Sequence, residues 1–119
     1  MPSVLVVDDD MDLLEMVGSV LSSYKMKVHC LSEGATLFNT INEVNPDVLL
    51  MDIYLGDSDG RILCHSIKTS DDYKHIPVIL YSAGYVTTAS IHDALADEFL
   101  VKPFNIKDLI NKINTLVKD

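Results

Sequence analysis

"PDVLLMDIYLGDSDG", residues 46–60, decides the fold, because a buried strand here runs directly into a polar loop. Four consecutive apolar residues, Val48 to Met51, predict a strand that is buried on both faces, as in a parallel sheet. Asp52 follows immediately, and the loop beyond it holds two more acids, Asp57 and Asp59. An acid at the end of a buried strand indicates a chemical role, and the residues at the ends of the other strands bear on what that role is.

The rest of the chain alternates between short apolar runs and helical patterns. Strands are predicted at residues 3–7, 26–31, 48–51, 77–81 and 98–101. Helices are predicted at residues 13–21, 35–43, 61–68, 88–95 and 106–117. Asp10 and Asn105 are placed to cap the first and the last helix. This alternation predicts an α/β fold with a parallel sheet and right-handed crossovers, organised as one domain over residues 1–119.

Charge and composition argue against several classes of function. A formal net charge of −9 argues against direct binding of nucleic acid, since phosphate backbones select basic surfaces. No apolar run approaches the roughly 20 residues that a membrane span needs, so we expect a cytoplasmic protein without membrane contact. Cys30 and Cys64 form no C-x-x-C pair and are predicted to be reduced thiols in the core. The four histidines show no metal-ligand spacing.

Polar side chains follow four of the predicted strands at the point where each strand ends. Asp8, Asp9 and Asp10 follow the first strand and Asp52 follows the third. The other two strands are followed by a hydroxyl and an amine, those of Ser82 and Lys102. Because ligands of an open parallel sheet bind outside the carboxyl ends of its strands, these side chains are expected to converge on one pocket.

Three clustered carboxylates repel one another unless a cation neutralises them. Oxygen ligands without Cys or His favour a hard ion, and Mg²⁺ is favoured over Ca²⁺ because it needs few carboxylates and accepts phosphate oxygens. Ser82 and Lys102 would then contact the oxygens of a phosphoryl group, and one carboxylate could act as a nucleophile toward phosphorus. Asp10 is assigned to the helix cap alone. The set predicts phosphoryl-transfer chemistry.

Four strings in order, "VLVVDDDMDLL", "PDVLLMDIYLGDSDG", "IPVILYSAG" and "FLVKPF", resemble the receiver domain of bacterial two-component response regulators, the family of the chemotaxis response regulator. The resemblance covers the whole chain. It implies a flavodoxin-like (βα)5 three-layer sandwich with a five-stranded parallel sheet in the order 2-1-3-4-5. The implied function is that of a phosphoacceptor in a phosphorelay, not of an enzyme acting on a separate substrate.

The resemblance also implies roles for individual residues of the pocket. Asp52 would accept a phosphoryl group from a sensor histidine kinase or a histidine phosphotransfer protein. Mg²⁺ would be bound directly by Asp9 and Asp52, mostly through water by Asp8, and by the main-chain carbonyl of Tyr54.

The remaining roles concern the response to phosphorylation. Ser82 and Lys102 would each hold a phosphoryl oxygen, and the bond before Pro103 is expected to be cis. Phe99 stands at the switch-aromatic position, whose ring turns inward after phosphorylation.

Partners are implied by the same resemblance. The readout surface would consist of the fourth helix, the fifth strand and the fifth helix, and would contact a downstream protein target, an output domain outside this chain, or a second copy in a homodimer. Apolar residues around Tyr85 and Phe99 indicate a partner face, although core packing explains them equally well. The sequence departs from the family pattern at Gly56, where Pro is usual, at Ser58, where an apolar residue is frequent, and at Leu95, where Gly is common.

Three alternatives stay open at this stage. A Mg²⁺-dependent phosphatase of the haloacid dehalogenase class also uses an Asp nucleophile after a strand, but Tyr54 stands where its second Asp would be. A flavin- or nucleotide-binding module on the same fold would need a glycine-rich phosphate loop, and neither G-x-G-x-x-G nor G-x-x-x-x-G-K-[ST] occurs. A receiver that is never phosphorylated would serve only as a scaffold.

Overall fold

Strands and helices alternate along residues 1–84 and 86–117, the parts of the chain that the computed structural model describes. The strands are β1 (Ser3–Val7), β2 (Lys27–Leu31), β3 (Val48–Asp52), β4 (Tyr54–Leu55), β5 (Ser58–Asp59), β6 (Val78–Ser82) and β7 (Glu98–Val101). The helices are α1 (Met11–Ser23), α2 (Leu37–Val44), α3 (Gly60–Lys68), α4 (Thr88–Ala94) and α5 (Ile106–Leu116). Tyr85, which the sequence places near a partner face, lies outside the described residues.

A five-stranded sheet in the order β2-β1-β3-β6-β7 forms the centre of the fold, and every pair in it is parallel. β6 and β7 are the fourth and fifth strands of the sequence analysis, so the predicted order 2-1-3-4-5 is confirmed. The chain crosses from β1 to β2 on one side and then to β3 on the other. This reversal places the carboxyl ends of β1 and β3 side by side at the middle of the sheet.

Helices cover both faces of this sheet, which explains why its central strands are apolar at nearly every position. Alternate residues of a strand point to opposite faces. Val4 and Val6 of β1 therefore pack with α1 and α5, while Leu5 and Val7 pack with α2, α3 and α4. The three-layer α/β sandwich predicted from the sequence is confirmed.

The predicted boundaries shift by one or two residues. Asp52 and Ser82 are the last residues of β3 and β6, rather than the first residues after them, and β2 begins at Lys27. α2 begins at Leu37 instead of residue 35, because the carboxylate of Asp57 accepts hydrogen bonds from the main-chain N–H groups of Gly34 and Ala35 and holds them in the preceding loop.

A small hairpin in the loop after β3 was not predicted. Tyr54 pairs with Asp59 and Leu55 with Ser58, so residues 56 and 57 form the turn. The loop then closes onto the end of β3, where Gly60 N donates to Ile53 O at 2.7 Å.

The predicted helix caps are confirmed. Asp10 accepts hydrogen bonds from the main-chain N–H groups of Asp12 and Leu13, and Asn105 caps α5 in the same way. The placement of Cys30 in the core is wrong: its strand, β2, lies at the edge of the sheet, and Cys30 is exposed while Cys64 is buried, with both thiols free. Within the described part of the chain, no helix is long and apolar enough to cross a membrane.

Candidate functional site

Side chains at the ends of three strands, β1, β3 and β7, meet at the middle of the sheet. The Nζ atom of Lys102 lies 3.1 Å from Asp8 Oδ2 and 3.1 Å from Asp52 Oδ2, although these residues are far apart in the sequence. Both carboxylates are buried, and the lysine side chain is 18% exposed. The structure thus brings together the acids and the amine that the sequence places after separate strands. This cation lies between the two acids and offsets part of their negative charge.

Asp52 is 6% exposed and lies at the boundary between the core and the pocket. Its Oδ1 accepts a hydrogen bond from Tyr54 N at 3.1 Å, and its Oδ2 accepts one from Lys102. Burial raises the pKa of Asp52, and the hydrogen bonds from Lys102 and Tyr54 only partly oppose this effect. The ionised carboxylate is therefore held at an energetic cost, which a bound cation would reduce.

Asp8 is fully buried and has hydrogen-bond donors on both oxygens. Oδ1 accepts from Asp10 N at 2.8 Å, and Oδ2 accepts from the hydroxyl of Tyr81 at 2.7 Å as well as from Lys102. A buried carboxylate with this many donors is held in a single orientation. The carboxylate of Asp8 is therefore fixed in position at one side of the pocket.

Asp9 completes a carboxylate cluster that suits a divalent cation. One oxygen each from Asp8, Asp9 and Asp52 can be chosen so that all three lie within 4.8 Å of one another. Asp9 is exposed, and within the described residues its carboxylate accepts no hydrogen bond, so its oxygens are available to a ligand. A Cβ atom added at Gly56 would lie 3.3 Å from Asp9 Oδ2, so glycine leaves space beside that oxygen. The donor set, all oxygen and strongly acidic, fits Mg²⁺.

Ser82 and Lys102 are linked through the main chain. Lys102 N donates to Ser82 O at 2.9 Å, which continues the pairing of β6 with β7 to the rim of the pocket. Ser82 is fully buried, and its Oγ accepts a hydrogen bond from Gly84 N at 3.0 Å. The Lys102–Pro103 bond is cis, as expected.

Tyr81 is a residue of the pocket that the sequence analysis missed. It is fully buried, pairs with Asp52 in the register between β3 and β6, and places its ring 4.9 Å from Lys102 Nζ. Burial, first of all, and the nearby Asp8 raise the pKa of Tyr81, so its hydroxyl stays protonated and acts as a donor. In the sequence, Tyr81 is one residue of an apolar strand and does not stand out as a polar group. Only the register of the sheet shows that its hydroxyl reaches Asp8.

Arg61 connects the rim of the pocket to α4. Its guanidinium donates to both oxygens of Asp59, at 3.0 and 2.7 Å, and to Ser90 Oγ at 3.0 Å. It also lies 5.6 Å from the centroid of the exposed ring of Tyr54. The hairpin after Asp52 is therefore tied to the first turn of α4.

Phe99 lies away from the carboxylates, on the face of the sheet that packs with α4. Its half-buried ring packs against the core and lines a cavity of about 150 Å³ with Val86, Thr87, Thr88 and Ile91. The ring of Phe99 therefore borders open space beside α4.

Known proteins resemble nearly the whole chain. The family model for the response regulator receiver domain matches residues 4–114. The heme response regulator HssR of Staphylococcus epidermidis is 33% identical over 116 residues, which are 96% of this chain and 50% of that protein. The chain therefore spans about half the length of the curated relatives it matches.

Solved structures show the same fold. A putative response regulator from Chloroflexus aurantiacus superposes with a TM-score of 0.91 at 27% identity, over 99% of this chain and 98% of that one. The response regulator TrrA of Thermotoga maritima, solved in complex with Mg²⁺ and BeF, superposes with a TM-score of 0.87 at 25% identity, over 98% of this chain and 99% of that one.

Proposed function

Since the chain belongs to the response regulator receiver domain family, we propose that it accepts a phosphoryl group on Asp52 in a Mg²⁺-dependent reaction. The donor would be a phosphohistidine of a sensor histidine kinase or of a histidine phosphotransfer protein. The observation that supports this most strongly is the position of Asp52, a buried carboxylate at a strand end with Lys102 on one oxygen and the acidic cluster beside it.

The residues of the pocket can account for each part of the transfer. A carboxylate oxygen of Asp52 attacks phosphorus, the P–N bond to the histidine breaks, and the imidazole leaves with the electron pair and takes up a proton. Lys102 would move from Asp52 Oδ2 to an oxygen of the phosphoryl group, and the Ser82 hydroxyl would donate to another after turning away from Gly84 N. Mg²⁺, held by Asp8, Asp9, Asp52 and the main-chain carbonyl of Tyr54, would neutralise phosphoryl charge.

The response would be a change of protein surface. An aspartyl phosphate adds negative charge and strong acceptor oxygens to the pocket, which biases the positions of Ser82 and Lys102. Phe99 could follow by rotating into the cavity beside α4. We infer that the surface formed by α4, β7 and α5 carries the signal, to a protein target, to a second copy, or to an output domain.

The proposal also concerns the cellular location of the protein and the limits of its chemistry. We propose that the protein acts in the cytoplasm and that its chemistry is limited to its own phosphorylation and dephosphorylation, without turnover of a separate substrate.

Intact mass after incubation with acetyl phosphate tests the proposal. Wild type, Asp52→Asn and Asp57→Asn are compared with and without Mg²⁺, using a fast quench to retain a labile adduct. Asp57 is the matched control because it lies in the same loop but is exposed and bonded to main-chain amides. We expect one phosphoryl group on wild type and Asp57→Asn, only with Mg²⁺, and none on Asp52→Asn. Equal labelling of Asp52→Asn would exclude Asp52 as the acceptor, and absence of any adduct would favour a scaffold receiver.

A further inference from the structure

We propose that Tyr81 is a positioning residue that holds Asp8 in place while Lys102 is free to move to the phosphoryl group. The inference rests on the proposed function, because it concerns what happens to Asp8 during phosphorylation. The hydroxyl of Tyr81 would keep this carboxylate correctly oriented for Mg²⁺ in both states of the protein.

The hydroxyl of Tyr81 is fixed by the fold. It lies 2.7 Å from Asp8 Oδ2 and 3.5 Å from Val7 O, in a fully buried position. The ring packs edge-on against Phe104, with 5.5 Å between centroids. Tyr81 is fully buried within the core cluster that it shares with α1 and α5, so the ring cannot turn away without displacing the side chains packed around it. The donor to Asp8 is therefore present whatever the neighbouring lysine does.

Lys102 cannot donate a hydrogen bond to Asp8 both before and after phosphorylation of Asp52. Its Nζ atom is 3.1 Å from one oxygen of Asp8 and one oxygen of Asp52, so it divides its charge between two acids. A phosphoryl group on Asp52 would offer it more strongly charged oxygens. Oδ2 of Asp8, which is fully buried, would then lose the lysine as a donor, and a buried carboxylate oxygen without a donor is disfavoured.

Tyr81 supplies the hydrogen-bond donor that Oδ2 of Asp8 would lack once Lys102 has moved. A hydrogen bond from a neutral hydroxyl to a carboxylate is charge-assisted, and a length of 2.7 Å is consistent with a strong one. Partners of this kind, bonded to a metal ligand, orient it and typically change metal affinity by about 10–100-fold when removed. Because Tyr81 donates to Oδ2, it also fixes the direction in which Oδ1 faces.

The ring of Tyr81 has a separate relation to Lys102. Nζ lies 4.9 Å from the ring centroid, within the range of a cation–π contact. Phenylalanine would retain this contact and the packing on Phe104, and would lose only the contacts of the hydroxyl, the hydrogen bond to Asp8 and the longer contact of 3.5 Å with Val7 O. Tyr81→Phe therefore isolates the hydroxyl.

The test compares Tyr81→Phe with Tyr73→Phe. Tyr73 is a matched control because its hydroxyl also donates to a side chain, Asn42 Oδ1 at 2.8 Å, but on the other face of the sheet. Mg²⁺ affinity is measured by calorimetry, and labelling by acetyl phosphate is followed at saturating Mg²⁺. We expect Mg²⁺ to bind about 10-fold more weakly to Tyr81→Phe and with unchanged affinity to Tyr73→Phe.

A double-mutant cycle shows whether the effect passes through Asp8. In an Asp8→Asn background, Tyr81→Phe should no longer change Mg²⁺ affinity, whereas a general loosening of the core would weaken binding in both backgrounds. Wild-type affinity in Tyr81→Phe, or an equal loss in the two backgrounds, would overturn the proposal. If wild type itself neither binds Mg²⁺ nor is labelled, the proposed function fails, which is a different result from failure of the Tyr81 variant alone.

Discussion

Asp52 and Asp57 lie five residues apart in the same stretch of sequence, yet the fold places them in opposite electrostatic environments. Asp52 ends a buried strand, and burial raises its pKa. Asp57 lies exposed in the hairpin turn, and hydrogen bonds from the main-chain N–H groups of Gly34 and Ala35 lower its pKa. The ionised form of the first acid opposes folding, whereas the ionised form of the second supports it.

The two acids therefore have different tasks, a structural one for Asp57 and a chemical one for Asp52. The carboxylate of Asp57 caps main-chain donors and ties the hairpin to the start of α2, which is a structural task. The carboxylate of Asp52 is retained although it costs stability, as expected for a group that must bind a cation and react. If that distinction is correct, substitutions in the two places should differ in sign and in pH dependence.

The largest effect is expected at Gly60, where the loop bearing Asp57 closes onto the strand bearing Asp52. A Cβ atom added at Gly60 would clash with the main-chain carbonyl oxygen of Asp52 and lie 3.0 Å from Ile53 Cα, and backbone atoms cannot move aside. Gly60→Ala should lower the free energy of unfolding by roughly 2–3 kcal/mol. Urea denaturation measures this change directly.

Gly18→Ala is the control for that substitution. Gly18 lies inside α1, and a Cβ atom there would meet nothing closer than Cys30 Sγ at 3.7 Å. Alanine at this position should raise stability by roughly 0.5–1 kcal/mol, because glycine is unfavourable within a helix. Equal effects of the two substitutions would mean that the loop can move off the end of β3, and that Asp52 is less rigidly placed than the structure indicates.

Replacing Asp52 or Asp57 by asparagine is expected to change the free energy of unfolding by a smaller amount. The two changes should have opposite signs. The pKa of Asp52 is raised, so the folded state binds this proton more tightly and stability falls as pH rises from about 3.8 through the raised value. The pKa of Asp57 is lowered, so its contribution is present above about 3.8 and is lost as pH falls through the lowered value. Without metal at pH 7, Asp52→Asn should be more stable than wild type by about 1 kcal/mol, and Asp57→Asn less stable.

Urea titrations in EDTA, from about pH 7 down to about pH 3.5, cover the range in which Asp52 of wild type becomes neutral. The difference between Asp52→Asn and wild type should therefore shrink toward the acid end, whereas the difference for Asp57→Asn should persist and shrink only below about pH 3.8. Saturating Mg²⁺ at pH 7 should remove most of the advantage of Asp52→Asn and leave Asp57→Asn unaffected. A loss of stability in Asp52→Asn would show that its bond with Lys102 outweighs the cost of burial.

The sequence predicts the buried side of the pocket better than its rim. Apolar runs of four or five residues identify the central strands, and the topology of a parallel sheet brings Asp8, Asp52 and Lys102 to one edge. The hairpin of β4 and β5 has two-residue strands, which exist through their pairing and leave no periodic pattern to detect. The sequence therefore predicts a loop there but not the contact between Asp57 and the loop before α2.

Tyr81 and Cys30 show a second limit of sequence-based prediction. Both lie in strands, but side-chain environment depends on which strands are neighbours. β6 lies inside the sheet, so Tyr81 is buried and its hydroxyl reaches Asp8, whereas β2 is at the edge and leaves Cys30 exposed. Residue type and alternation alone do not contain this information, which requires the strand order and the register.

The smallest effect on the free energy of unfolding is expected at Leu95. The cost there comes from the backbone conformation, whereas the cost at Asp52 comes from a buried charge. Leu95, at the end of α4, has φ 65° and ψ 26°, a left-handed conformation that costs a residue with a Cβ atom roughly 1–2 kcal/mol. Leu95→Gly removes that strain but gives the unfolded chain more freedom, so a net gain of about 0.5 kcal/mol is expected. Leu95→Ala keeps the Cβ atom and should show no gain. Because no charge is involved, the gain in Leu95→Gly should be the same at pH 7 and at pH values where Asp52 is neutral, with or without Mg²⁺. A gain that varied with pH would mean that the turn before β7 is coupled to the pocket, and the costs at Leu95 and Asp52 could no longer be treated as independent.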